Sequence, residues 1–208
     1  MNETAYLVGL SDPAAFFEAA VEAMGRVTRD ALHASEVVGR MRALVTKQDP
    51  KQADFDVNEA IAEVLTLTQR EQRNLDVEAD LSLTDGDSTV HGDRIQFQQV
   101  VLNLILNAID AMREVPVDEK RLMIRTALTE NGHLQVEVED RGGGIDAAAA
   151  DRIFEHLFTT KVGGTGLGLA IAKSIIEAHG GKIWAEPAEP KGAIFKLKVP
   201  TAGGGQGG

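Results

Sequence analysis

Four stretches of the chain carry side chains able to do chemistry: residues 98–112, 138–145, 153–161 and 163–171. In the first, QQVVLNLILNAIDAM, the polar residues Gln99, Asn103, Asn107 and Asp110 fall at helical spacing, opposite Val101, Leu102, Leu104 and Ile105. Carboxamides one turn apart on an apolar helix hold polar atoms that are costly to bury unless something binds them. A pair of capped or surface asparagines would have the same spacing. The second stretch, VEDRGGGI, reads as a strand that ends in Asp140 and passes into Gly142-Gly143-Gly144. An ionised carboxylate is an acceptor only. It can take the exocyclic amine of adenine and rejects guanine, which presents a carbonyl there. Glycines let the backbone approach a flat base closely, although a plain glycine turn with an Asx bend would read the same in isolation. In the last two stretches, IFEHLFTTK and GGTGLGLAI, Gly164, Gly166 and Gly168 precede or open a helix, with Lys161 nearby. Backbone amides at a helix start suit phosphate oxygens. No strand leads into these glycines, and no G-x-x-x-x-G-K-[ST] sequence occurs, so neither a dinucleotide fold nor a P-loop is expected.

Elements must hold these stretches together. Asp93 with Gln96 predicts a capped helix from about Arg94 to Met112. Asp56 with Glu59 predicts another, running to about Arg70. Strands are expected at Leu75–Leu83, Arg121–Leu128, Leu134–Val138, Lys182–Ala185 and Ala193–Val199, with a hairpin at Asn131-Gly132. A helix is expected through Asp151 to His156, and another over Leu167–Ala178, stopped by Gly180. Helices mixed with antiparallel strands make an α+β sandwich. Upstream lies a longer helical pattern, from Pro13 to about Lys47. Phe17, Met24, Ala31, Val38 and Val45 alternate with Ala20, Val27, Ala34 and Met41 to form a heptad seam. Such a helix is about 50 Å long, too long for one small domain to cover, so a homodimer through residues 13–47 is expected. The divisions expected are a helical segment 1–50, an α+β domain 51–200 that carries the four stretches, and a disordered tail 201–208.

Composition narrows the class. The chain has 208 residues and no cysteine, which excludes a disulfide framework and a cysteine-based metal site. Its 21 basic against 32 acidic residues give a net charge of -11, unsuited to binding nucleic acid or anionic membrane through the overall field. No apolar run reaches the roughly 18 residues of a membrane span. The start, Met1-Asn2-Glu3-Thr4, lacks a signal-peptide pattern. A cytoplasmic protein, or a cytoplasmic part of a larger one, is expected.

Taken together, the four stretches over about residues 54–200 resemble the ATP-binding domain of sensor histidine kinases, a two-layer α/β sandwich shared with gyrase and the heat-shock chaperone ATPases. Asn103 to Ala108 resembles the N box and Asp140 to Gly144 the first glycine box. Phe154 to Phe158 resembles the F box, and Gly164 to Leu169 the second glycine box. The resemblance implies ATP or ADP and Mg²⁺ as ligands. Asn107 would hold the metal, Asp140 would read adenine and Asn103 would support the phosphate region. Gly142, Gly144, Ile145, Lys161, Gly164, Thr165, Gly166, Leu167 and Gly168 would complete the nucleotide site, with residues 159–166 as a short lid. HASEVVGRMRALV, residues 33–45, resembles the second helix of the dimerisation hairpin, and the subfamily resembles the nitrogen-fixation, oxygen-sensing type. His156 stands where many relatives have proline.

The implied function is transfer of the ATP γ-phosphoryl group to a histidine, for relay to an aspartate of a response-regulator receiver domain. None of His33, His91, His133, His156 and His179 is followed by the acidic residue and proline of a phosphoacceptor box. The acceptor is therefore expected outside this chain, and His33 is expected to be a solvated surface residue. Two alternatives stay open. One is a hydrolytic ATPase, which in the resembling families carries a glutamate where this chain has Asn103. The other is a dimeric phosphotransfer or scaffold protein without kinase activity.

Overall fold

The computed structural model describes residues 52–146, 150, 152–155, 158–159 and 166–203. The expected helix over 13–47, its seam and His33 lie outside the described residues. In chain order the elements are β1 (Gln52–Asp56), α1 (Val57–Leu67), α2 (Gln69–Asn74), β2 (Glu78–Ser82), β3 (Thr89–Asp93) and α3 (Arg94–Ala111). There follow β4 (Arg121–Leu128), β5 (His133–Asp140), α4 (Gly168–Ala178), β6 (Lys182–Pro187) and β7 (Ala193–Pro200).

One sheet has the order β2-β4-β5-β7-β6, and a small second sheet pairs β1 with β3. The β2–β4 pair is parallel and the other pairs of the large sheet are antiparallel. Strand alternation turns Leu134, Val136 and Val138 of β5 to the core, with Ile124 of β4 and Leu197 of β7. Helices α1, α3 and α4 cover that face with Ile61, Val64, Val101, Leu104, Ile105 and Ile176. The two layers are the α/β sandwich expected from the sequence. On the other face, charges pair across strands. Arg125 reaches Glu139 at 2.8 Å and Glu137 at 3.5 Å, and Lys196 reaches Glu186 at 2.8 Å and Glu137 at 3.6 Å.

The helix starts follow their caps. Asp56 Oδ1 accepts the Glu59 amide hydrogen, and Asp93 Oδ1 accepts those of Ile95 and Gln96. Three expectations need correction. The strand expected from Leu75 begins only at Glu78, because Gln69–Asn74 forms a short helix first. In place of a helix from Asp151 to His156, the described residues form a 3₁₀ turn at Arg152–Phe154. The first residues of the expected disordered tail are held: the Thr201 amide donates to Gly132 O and the Ala202 amide to Thr89 O. The β1–β3 ribbon was not anticipated, since its polar, five-residue strands lack the usual apolar alternation.

Candidate nucleotide-binding site

Helix α3 carries the polar stripe. Val100, Val101, Leu104, Ile105 and Ala108 are buried, so the helix cannot turn without exposing them. Asn103 and Asn107 are left partly buried on the other side. The Asn103 Nδ2 is sealed from solvent and has no hydrogen-bond partner among the described residues. A buried amide with unused donors costs on the order of 1–3 kcal/mol, a penalty that a bound acceptor would remove. One turn past Asn107, Asp110 Oδ1 accepts from Arg113 Nη2 at 3.0 Å and Nε at 3.2 Å.

Asp140 ends β5 on the core-facing side and is 1% exposed. Its Oδ1 accepts the Gly142 amide hydrogen at 2.8 Å, which folds the loop back under the carboxylate. Gly142 lies against the end of α3: a Cβ there would stand 2.7 Å from both the Cβ and the carbonyl oxygen of Ala111. Only glycine permits that approach. The contact sets the carboxylate loop beside the helix that bears the two asparagines. Ile145 is partly buried on the core.

The site has a support that sequence reasoning missed. The loop between β6 and β7 backs onto Asp140. Gly192 has φ +117°, and a Cβ on it would stand 1.9 Å from the Asp140 carbonyl oxygen. Arg141 ties the same loop down, donating from Nη1 to Glu189 O at 2.6 Å, while its Nη2 lies 3.2 Å from Glu139. Only the glycine of the K-G pair, Lys191-Gly192, hinted at this support.

The phosphate end is described in part. Lys161, Gly164 and Thr165 lie outside the described residues. Gly166 has φ +64°, Leu167 is the N-cap of α4 and Gly168 is its first residue. The cap offers no side-chain hydrogen bond, and the first turn carries no acidic residue. The first amides of a helix have no intrahelical acceptor, and its dipole is positive at that end. Of the expected F box, Phe154 is buried edge-on to Phe195 at 6.5 Å, and Phe158 lies under the Arg152 guanidinium at 5.1 Å. His156 lies outside the described residues. The structure thus brings Asn103, Asn107, Asp140, Gly142 and Ala111 to one helix and its flanking loop.

A mixed sheet under three helices, with an acidic strand end, a glycine loop and a carboxamide stripe, defines a class of nucleotide-binding α/β sandwich. The comparisons make this specific. Residues 92–203, more than half of the chain, match the model of the histidine kinase-, DNA gyrase B- and HSP90-like ATPases. The chain belongs to that family.

Among its relatives is the sensor protein FixL of Bradyrhizobium diazoefficiens. It is 34% identical over 94% of this chain and 38% of FixL. The C4-dicarboxylate transport sensor protein DctS of Rhodobacter capsulatus is 36% identical over 88% of this chain and 27% of DctS. The catalytic domain of histidine kinase ThkA superposes with a TM-score of 0.63 at 34% identity, covering 73% of this chain and 96% of that domain. ThkA solved in complex with the response regulator TrrA gives 0.70 at 28% identity, over 93% of this chain and 54% of that one. The chain spans only about a fifth to two-fifths of the curated relatives' length. Its described residues form the ATP-binding catalytic domain of sensor histidine kinases. Among them, no helix is long and apolar enough to cross a membrane.

Proposed function

We propose that this chain is the ATP-binding catalytic module of a two-component sensor histidine kinase of FixL-like type. It would hold Mg·ATP and present the γ-phosphoryl group to a histidine, for later transfer to a response-regulator aspartate. The observation that carries the reading is the contact of Gly142 with Ala111, which sets buried Asp140 beside the helix of Asn103 and Asn107. From Asn103 to Ala111 the helix advances about 12 Å, so base and phosphates can be gripped at separate points along it. Asp140 accepts the adenine amine, and the backbone at Gly142 and Gly144 lies along the base. The Asn103 Nδ2, without a partner among the described residues, and the first turn of α4 suit phosphate oxygens.

These donors also fit a metal-bearing phosphate. Asn107 would hold Mg²⁺ through its carbonyl oxygen, and the ion when bound neutralises charge on the phosphoryl oxygens. Phosphoryl transfer is mainly positioning and charge stabilisation, which is what this arrangement supplies. Asn103 cannot take a proton at neutral pH, so water is not activated there, and that counts against the hydrolytic reading. Lys161, Gly164, Thr165, Gly166, Leu167 and Gly168 complete the proposal at the lid. Dimerisation through residues 13–47 belongs to it, as does docking of a receiver domain.

Calorimetric titration with ATP and Mg²⁺ tests the site. Wild type is expected to bind ATP and to discriminate against GTP. Asp140→Asn should lose about 1.5–3 kcal/mol of affinity, because its amide replaces one acceptor with a donor. Equal affinities for the wild type and Asp140→Asn would remove Asp140 from adenine recognition.

A further inference from the structure

We propose that His179 is a positioning residue of the nucleotide site, one that sets how far α4 lies along α3. The inference rests on the ATP-binding reading above. The imidazole is buried and both ring nitrogens are engaged. Its Nδ1 lies 2.7 Å from the carbonyl oxygen of Ile175, which can only accept, so the ring proton is on Nδ1. The Nε2 lone pair then accepts the backbone amide hydrogen of Asp93 at 3.0 Å. One side chain therefore joins the C-cap of α4 to the N-cap residue of α3. Gly92 makes room for the ring, since a Cβ at 92 would stand 2.2 Å from the His179 Cδ2.

The consequence is felt at the far end of the helix. The C-terminal end of α4 meets the start of α3, and the two helices pack against each other. They run antiparallel. From His179 back to Gly168 is eleven residues, about 16 Å of helix. The same eleven residues forward from Asp93 reach Leu104, between Asn103 and Asn107. The first turn of α4 thus arrives level with the carboxamide pair. A slip of one helical turn would carry them about 5.4 Å away. His179 touches neither reacting atoms nor nucleotide; it acts through the two helices, and sub-ångström placement matters strongly for such sites.

Substitutions that keep one hydrogen bond at a time separate this role from general packing. In His179→Gln the side-chain oxygen can reach the place of Nε2 and accept from Asp93. In His179→Asn only the donor toward Ile175 is retained, and in His179→Leu neither is. Affinity of the full chain for Mg·ATP is measured by calorimetry, with urea unfolding in parallel. The expected result is a loss of about tenfold or more for the Leu and Asn variants, with Gln restored to within about threefold of wild type. Should His179→Leu not fold, the Gln and Asn pair decides on its own, with Gln expected to bind at least about threefold tighter. Affinities of Gln and Asn that match each other overturn the proposal. Wild type that fails to bind nucleotide overturns the ATP reading and this inference with it, whereas wild type that binds beside unaffected variants overturns this inference alone.

Discussion

Asp140 depends on the backbone packed around it. Its carboxylate is aimed by the Gly142 amide, and its carbonyl is pressed by Gly192. A side chain at 192 would collide with backbone and would also be strained at φ +117°. We expect Gly192→Ala to cost about 1–3 kcal/mol of stability, in the range of overpacked sites, and to weaken ATP binding as Asp140 shifts. Urea denaturation and calorimetry on the same variant check both halves; unchanged values would remove the loop from the account. That Asn103, Asn107, Asp140 and Gly142 are candidates was legible in the sequence, because each sits in an apolar or glycine-rich frame. Gly192 and His179 were not, since their meaning comes from Asp140, 52 residues before Gly192, and from Asp93, 86 residues before His179.

At the scale of elements, sequence patterning was informative wherever one face meets the core. Strand β4 and the start of α3 fell where alternation and the Asp93 cap placed them. The short helix α2 and the β1–β3 ribbon did not, because their residues are mostly polar and lack an apolar period, so neighbours rather than periodicity decide their form. The outer sheet face illustrates what such polar positions do. Glu186 takes hydrogen bonds from Lys196 and from Trp184 Nε1, and these hold its carboxyl below the ordinary range, the Lys196 bond contributing most. A depressed carboxylate stabilises the fold above its unfolded pKa, and the contribution is lost as pH falls through the folded value. Lys196→Met should therefore cost little at neutral pH, at most about 0.5 kcal/mol for a partly exposed pair. The difference from wild type should shrink as the medium is made strongly acidic. Thermal unfolding across that range checks the prediction; a difference that grows toward low pH would give the pair the wrong sign.

For the molecule as a whole, the heptad positions of residues 13–47 set the expectation of a dimer. On a continuous helix, Phe17, Met24, Val27, Val38, Met41 and Val45 would form a seam for a second copy to cover. Charged residues in place of both Val38 and Met41 should convert a dimer to a monomer in light scattering, with ATP affinity retained by the catalytic unit. A wild-type monomer at the same concentration would refute the seam. The measurement that bears most directly on the central claim is phosphate incorporation from γ-labelled ATP. The full chain is incubated alone, and again with a supplied helix bearing a histidine followed by an acidic residue. No label is expected on the chain alone, with acid-labile label on the added helix and release of free phosphate far below about one per second. Acid-labile label on the chain itself, abolished by His33→Gln, would contradict the placement of the acceptor outside it. Measured ATP binding with no label on the added helix would contradict the kinase reading itself.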